Sequence, residues 1–163
     1  MYSKIYARIF SAACLATLVV GCGDEDKFEE CEEQTSTPLT QFVCLFTEHE
    51  PNGSLDNANV LTINGSIVEG SVQKGIDASD FFIFTPAQTG EYTIDFVADV
   101  EVGYVVIYDQ SQTTIASTSI GDGAEQNMTA DLVAGMAYYI EVNGYSADVT
   151  PERYLLSISG LLY

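Results

Sequence analysis

Tryptophan is absent from this 163-residue sequence, histidine occurs once, and Lys and Arg together number five against 24 Asp and Glu. The shortage of positive charge argues against nucleic acid as a partner, because phosphate binding rests on clustered Lys and Arg. The shortage of histidine removes most catalytic arrangements. A Ser-His-Asp or Cys-His site, or a four-ligand zinc site, has only His49 to draw on, with no nucleophile motif beside it. Neither His-Glu-x-x-His nor Gly-x-Ser-x-Gly occurs. No spacing singles out an acidic pair for glycoside cleavage. The chain therefore reads as a non-enzyme. No apolar run spans a bilayer as a helix either: the stretch over residues 9–20 falls short of the ~20 residues required.

That stretch, preceded by Lys4 and Arg8, has the length and flanks of a secretory leader. It closes on Val19-Val20-Gly21-Cys22, which resembles the lipobox of bacterial lipoproteins. The resemblance implies cleavage before Cys22, a lipid on its sulfur and a place in the cell envelope. Gly23, where an Asp would favour retention at the inner membrane, points by the same resemblance to the outer membrane. Stable anchoring needs more than one acyl chain, as such proteins usually have. The plainer alternative is a secretory leader with an incidental cysteine. Cys14 would leave with the leader and Cys22 would carry lipid, so Cys31 and Cys44 remain as an even pair in an oxidising compartment. They form a disulfide or stay as two separate thiols. The mature chain keeps Lys27, Lys74 and Arg153 against 24 acids, a net −21. Such acidity suits solubility and the attraction of cations.

The sequence divides into a leader over 1–21, an acidic tether over 22–47 and one folded domain over 48–163. The tether is expected from its charge runs and scarcity of apolar residues up to about Gln41. Beyond Glu50, short runs rich in Val, Ile, Tyr, Phe and Thr alternate with Gly, Asp, Asn and Pro, as in all-β domains. Eight strands are predicted, over residues 66–72, 81–85, 91–98, 103–109, 114–118, 126–132, 137–143 and 153–159. Tyr92, Ile94 and Phe96 alternate with Glu91, Thr93 and Asp95, and Tyr154, Leu156 and Ile158 alternate in the same way, which gives each strand one dry face. The run Tyr104 to Tyr108 is apolar on both faces and belongs mid-sheet or under a loop. One helical turn is expected over residues 57–61.

Several motifs then fall in order: Glu50-Pro51-Asn52-Gly53-Ser54, Gly70-Ser71-Val72, and Asp77-Ala78-Ser79-Asp80 followed by Phe81-Phe82-Ile83-Phe84. Gly90-Glu91-Tyr92-Thr93, Val106-Ile107-Tyr108-Asp109, Ala137-Tyr138-Tyr139-Ile140-Glu141-Val142 and Tyr154-Leu155-Leu156-Ser157-Ile158 follow. Together they resemble the bacterial pre-peptidase C-terminal domain over about residues 48–160. The resemblance implies a jelly-roll-like antiparallel β-sandwich, in agreement with the strand pattern. It also implies a calcium site built from Glu48, Glu50, Asn52, Asp77 and Asp80. Alternate residues of an extended segment face one way, so the first three would line one wall, and calcium takes six to eight oxygens. Gly53 stands where some members of the family carry an acid, which disfavours a second ion. The competing reading is that Glu48 and Glu50 continue the tether while Asp77 and Asp80 shape a turn.

The function so implied is a non-catalytic, calcium-steadied accessory or binding module for an extracellular protein or polysaccharide. A purely structural envelope lipoprotein and a partner or inhibitor of a secreted peptidase are the alternatives. Tyr104, Tyr108, Tyr138, Tyr139 and Tyr145 are candidates for an aromatic binding platform. Tyr139 and Tyr145 are the better surface candidates, because Tyr138 shares its face with Ile140 and Val142.

Overall fold

The structure, a computed structural model, describes residues 30–34, 41–63, 66–73, 75–98, 102–121, 125–144 and 151–160. The leader, Cys22 and Tyr145 lie outside the described residues, and so does the side chain of Cys31. Eleven strands form two sheets. They are β1 (Glu30–Gln34), β2 (Gln41–Thr47), β3 (Asn59–Val60), β4 (Ser66–Val72), β5 (Ser79–Phe84) and β6 (Gly90–Ala98), then β7 (Val102–Asp109), β8 (Thr114–Gly121), β9 (Glu125–Leu132), β10 (Tyr138–Gly144) and β11 (Glu152–Gly160). One sheet runs β1-β2-β4-β11-β6-β9 and the other β3-β5-β10-β7-β8. Every strand pair is antiparallel except β2 with β4 and β3 with β5. No described helix is long and apolar enough to cross a membrane.

All eight predicted strands are present, within a few residues at each end, and the fold is the expected all-β sandwich. β6 buries Tyr92, Ile94, Phe96 and Ala98, and β11 buries Tyr154, Leu156 and Ile158, as alternation requires. Facing them across the sandwich are Phe82, Phe84, Val105, Ile107, Ile140 and Val142, each 0–2% exposed. β7 lies between β10 and β8, the interior position that its doubly apolar run calls for.

Three strands exceed the expected count, and two of them fall inside the stretch read as a tether. Residues 42–46 (Phe-Val-Cys-Leu-Phe) are apolar, β2 pairs with β4 over Cys44 to Thr47, and Phe46 packs against the core. β1 pairs in turn with β2. The solvated reading up to about Gln41 and the tether boundary at residue 47 therefore both pass over paired strands: β1 lies inside the charge run, and that run masks the apolar residues of β2. The helical turn expected over 57–61 lies earlier, as a 3-10 turn over Leu55–Asn57, and Asn59 and Val60 are extended as β3. With only two residues, β3 owes its conformation to its pairing with Phe82 and Ile83.

Candidate metal centre and outward face

After β2 the backbone continues along β4, with Glu48 N–H donating to the Glu69 carbonyl at 3.0 Å. This places the Glu48 side chain over the end of β4. One carboxylate oxygen, Oε1, accepts from the Ser71 N–H; the other, Oε2, accepts from Asn52 Nδ2 at 3.2 Å and from the Tyr154 hydroxyl at 2.8 Å. Two residues on, Glu50 Oε2 accepts from the Asn52 N–H at 3.0 Å. The Asn52 carbonyl accepts from Phe81 N–H at 3.0 Å, which fastens the lead-in segment to β5. On β5 itself, Asp80 Oδ2 lies 2.6 Å from the same hydroxyl, whose single proton goes to only one of the two carboxylates at a time. Asp77 sits one turn earlier, held by a backbone bridge to Gln73, and its side chain hydrogen-bonds with Glu50.

The five residues expected at a metal site are thus brought to one corner. Ligand oxygens of Glu48, Glu50 and Asp80 lie within 4.8 Å of one another, close enough to share one cation, while Asp77 stands outside that group and joins it through Glu50. Asn52 and Asp80 are fully buried, and the Oδ1 of each has no hydrogen-bond partner. Buried acceptors without a donor are costly and rare. The electrostatics agree. Burial, then the neighbouring carboxylates Glu48 and Asp77, push the Asp80 carboxyl up to about 9 despite the opposing hydrogen bond from Tyr154. Burial, then Glu50, pushes Asp77 up to about 6. A bound dication would reverse both shifts.

Tyr154 is the part of this corner that the sequence reading missed. It appears there only as a dry-face residue of β11, and its ring is indeed buried, stacked on Phe96 at 5.4 Å and edge-on to Phe82 at 6.4 Å. Its hydroxyl, however, joins Glu48 to Asp80. A buried tyrosine needs a partner for its hydroxyl, and that requirement is the signal available in the sequence. Gly70, directly across from Tyr154 in the β4–β11 ladder, leaves the space that the ring occupies.

On the five-stranded sheet, the residues that alternate with the core side chains face outward. Cross-strand register sets Phe81, Glu141 and Val106 in one row and Ile83, Tyr139 and Tyr108 in the next, with Tyr104 beyond beside Asn143. Glu141 sits in the middle, accepting from Ser79 Oγ at 3.1 Å and from the Tyr108 hydroxyl at 2.7 Å. Burial, and then Glu141, raise the Tyr108 phenol to about 12. Tyr138 faces the core, as expected from Ile140 and Val142, and Tyr139 is half-buried on the outward side.

The sequence matches no family model. No curated protein matches it. Solved structures do. One of them is a pre-peptidase C-terminal domain. It belongs to the collagenase of Bacillus anthracis, is 25% identical, and aligns over 62% of this chain and 93% of its own with a TM-score of 0.48. A carbohydrate-binding module from Cellvibrio mixtus lichenase 5A, in complex with cellotriose, is 13% identical over 59% of this chain and 88% of its own, TM-score 0.40. A carbohydrate-binding module of type CBM36, in complex with calcium and xylotriose, is 15% identical over 61% and 93%, TM-score 0.35. The likeness is one of β-sandwich architecture, and the site stands on its own geometry.

Proposed function

We propose that this chain is a non-catalytic binding module of the cell envelope, its lead-in segment fastened to the sandwich by one calcium ion. The observation that carries the metal reading is the pair of fully buried, unpartnered oxygens, Asn52 Oδ1 and Asp80 Oδ1, beside three converging carboxylates. Glu48, Glu50, Asn52, Asp77 and Asp80 would hold the ion, with Tyr154 orienting two of them. The ion's role there is structural: it neutralises the carboxylates and ties residues 48–52 to β5. The outward face, with its tyrosine rings and central carboxylate, is suited to an extracellular protein or a polysaccharide. Melting the protein in EDTA and in millimolar calcium tests the metal reading. At ~100 times its dissociation constant a single ion stabilises by ~2.7 kcal/mol, which moves the midpoint by about 8 °C. Glu50→Ala and Asp80→Ala should abolish the gain. Coincident curves for the parent, with no heat in a calcium titration, would remove the metal from this account.

The envelope address rests on the lipobox-like Val19-Val20-Gly21-Cys22, and the tether carries a proposal of its own. Cys31 stands directly across from Cys44 in the β1–β2 ladder. Opposed residues of an antiparallel pair are about 4.5–5.5 Å apart at Cα, inside the range that a disulfide spans. A Cys31–Cys44 disulfide closing so short a loop contributes ~3 kcal/mol on the chain-entropy model. Intact mass of the protein recovered from a bacterial envelope reads both features at once. Acyl mass on a chain beginning at Cys22 is expected, together with the loss of about two hydrogens relative to the reduced form. An unmodified N-terminus beyond Cys22, or two alkylatable thiols, would contradict the respective claim.

A further inference from the structure

In a chain with 24 acidic residues, the outward rows that cross β5, β10 and β7 hold a single charge, that of Glu141. Its neighbours are Phe81 and Val106 in its own row and Tyr139 and Tyr108 in the next. All of them are buried or half-buried, so the carboxylate stands in a partly dry surround. Its two oxygens are held separately. Asn143 Nδ2 donates to Ser79 Oγ at 2.6 Å, which leaves the Ser79 hydroxyl proton for Glu141 Oε1, while the Tyr108 hydroxyl donates to Oε2. Tyr108 keeps its proton far above neutral pH, so both donors are uncharged. They aim the carboxylate without neutralising it. Among the described residues the ion pair is that of Arg153 with Glu69, on the other sheet. A half-buried charge whose partners are all neutral is costly, and a counter-charge brought by a ligand relieves that cost.

We infer that the outward face takes an arginine side chain of an extracellular protein, its guanidinium seated on Glu141 beside Tyr108 and Tyr139. This rests on the outward face being the binding surface proposed above, and adds the class of ligand. An ionised carboxylate offers about four acceptor sites. Ser79 and Tyr108 take one on each oxygen, which leaves a site on each for the two parallel N–H groups of a guanidinium fork. The same planar group stacks on tyrosine rings. Lysine would bring the charge without the fork, and a sugar hydroxyl would bring neither. Charge complementarity extends beyond the contact. A chain of net charge −19 draws cationic partners towards it and repels anionic polymers.

The test titrates the full chain, in mild detergent and millimolar calcium, with peptides that carry arginine, lysine or uncharged citrulline at the same positions, while amide resonances of the labelled protein report where each one binds. The arginine peptide should bind at least about tenfold more tightly than the citrulline peptide, with lysine between them, and its affinity should fall as salt rises to about 0.5 M. Resonance shifts should centre on Phe81, Tyr108, Tyr139 and Glu141. Glu141→Gln should lose at least about tenfold in affinity, whereas Glu91→Gln, which removes an exposed charge from the other sheet, should stay within about twofold of the parent. Tyr108→Phe removes one of the two aiming donors and should narrow the preference for arginine over lysine. An arginine peptide bound no better than its citrulline counterpart, or a Glu141→Gln variant that binds as the parent does, overturns the inference. Cellohexaose that shifts these resonances while the arginine peptide does not would overturn the ligand class and leave the face as the binding surface. Resonances silent to every probe would overturn both.

Discussion

Gly70→Ala should melt about 10 °C below the parent and lose its response to calcium. A methyl group at this position would overlap the Tyr154 ring and come within 2.6 Å of Glu48 Oε2. Neither neighbour can easily give way. Tyr154 is packed between Phe82 and Phe96, and Glu48 is held by Ser71 and Asn52. Overpacking of a rigid site costs ~1–3 kcal/mol, and a shift of this size follows at several degrees per kcal/mol. The calcium response goes with it because the displaced hydroxyl no longer sets Glu48 against Asp80. Tyr154→Phe separates the two effects: the ring stays, the midpoint falls by only a few degrees, and calcium binds more weakly. Tyr154→Leu in the Gly70→Ala background should recover part of the lost stability, a coupling read from a double-mutant cycle. Were Gly70→Ala to melt within about 2 °C of the parent, the close approach of Tyr154 to β4 would not be a constraint on the fold.

In EDTA, the protein should lose stability steadily as pH rises from about 4 to about 9, and calcium should reverse the slope. Asp77 and Asp80 bind their protons more tightly folded than unfolded, the ordinary value being 3.8 and the folded values about 6 and about 9. The stability they contribute is complete below the ordinary value and is lost as pH climbs through each folded value in turn. Calcium takes the ionised forms, so its affinity grows over the same window and the gap between the two melting points widens by several degrees. Asp80→Asn should flatten the upper part of the EDTA curve, since an amide keeps the neutral form at every pH. An EDTA curve for the parent that is level from pH 5 to pH 9 would mean that these two carboxyls are not shifted as described.

β6 and β11 were legible because each has a period-two pattern long enough to declare a face, the other strands from β4 to β10 because short runs rich in Val, Ile, Tyr, Phe and Thr lie between turn residues, and Val105 to Ile107 declared an interior place by having no wet face. β3 was not legible, because two residues, Asn59 and Val60, carry no period and take their shape from β5. β2 was hidden by its neighbours, its apolar residues lying directly after a run of acids and threonines. At the carboxylate corner the residues could be named through the resemblance that the motifs carry, and the alternation of Glu48, Glu50 and Asn52 along an extended segment agreed with it. Tyr154 could not. Alternation says that its ring faces the core, but the position of the hydroxyl depends on Gly70, 84 residues away and opposite only in the folded ladder.

The parallel pairing of β2 with β4 also fixes the orientation of the domain. Gln41 and the end of β11 at Gly160 share one pole, but β1 runs antiparallel to β2, so Glu30, where the chain first joins the sheet, stands beside Leu45 towards the other. Glu48 marks the opposite pole, about 23 Å further along at the rise of an extended strand. An anchor at Cys22, as proposed above, would therefore join the sheet at the same pole as the carboxylate corner and not at the far one.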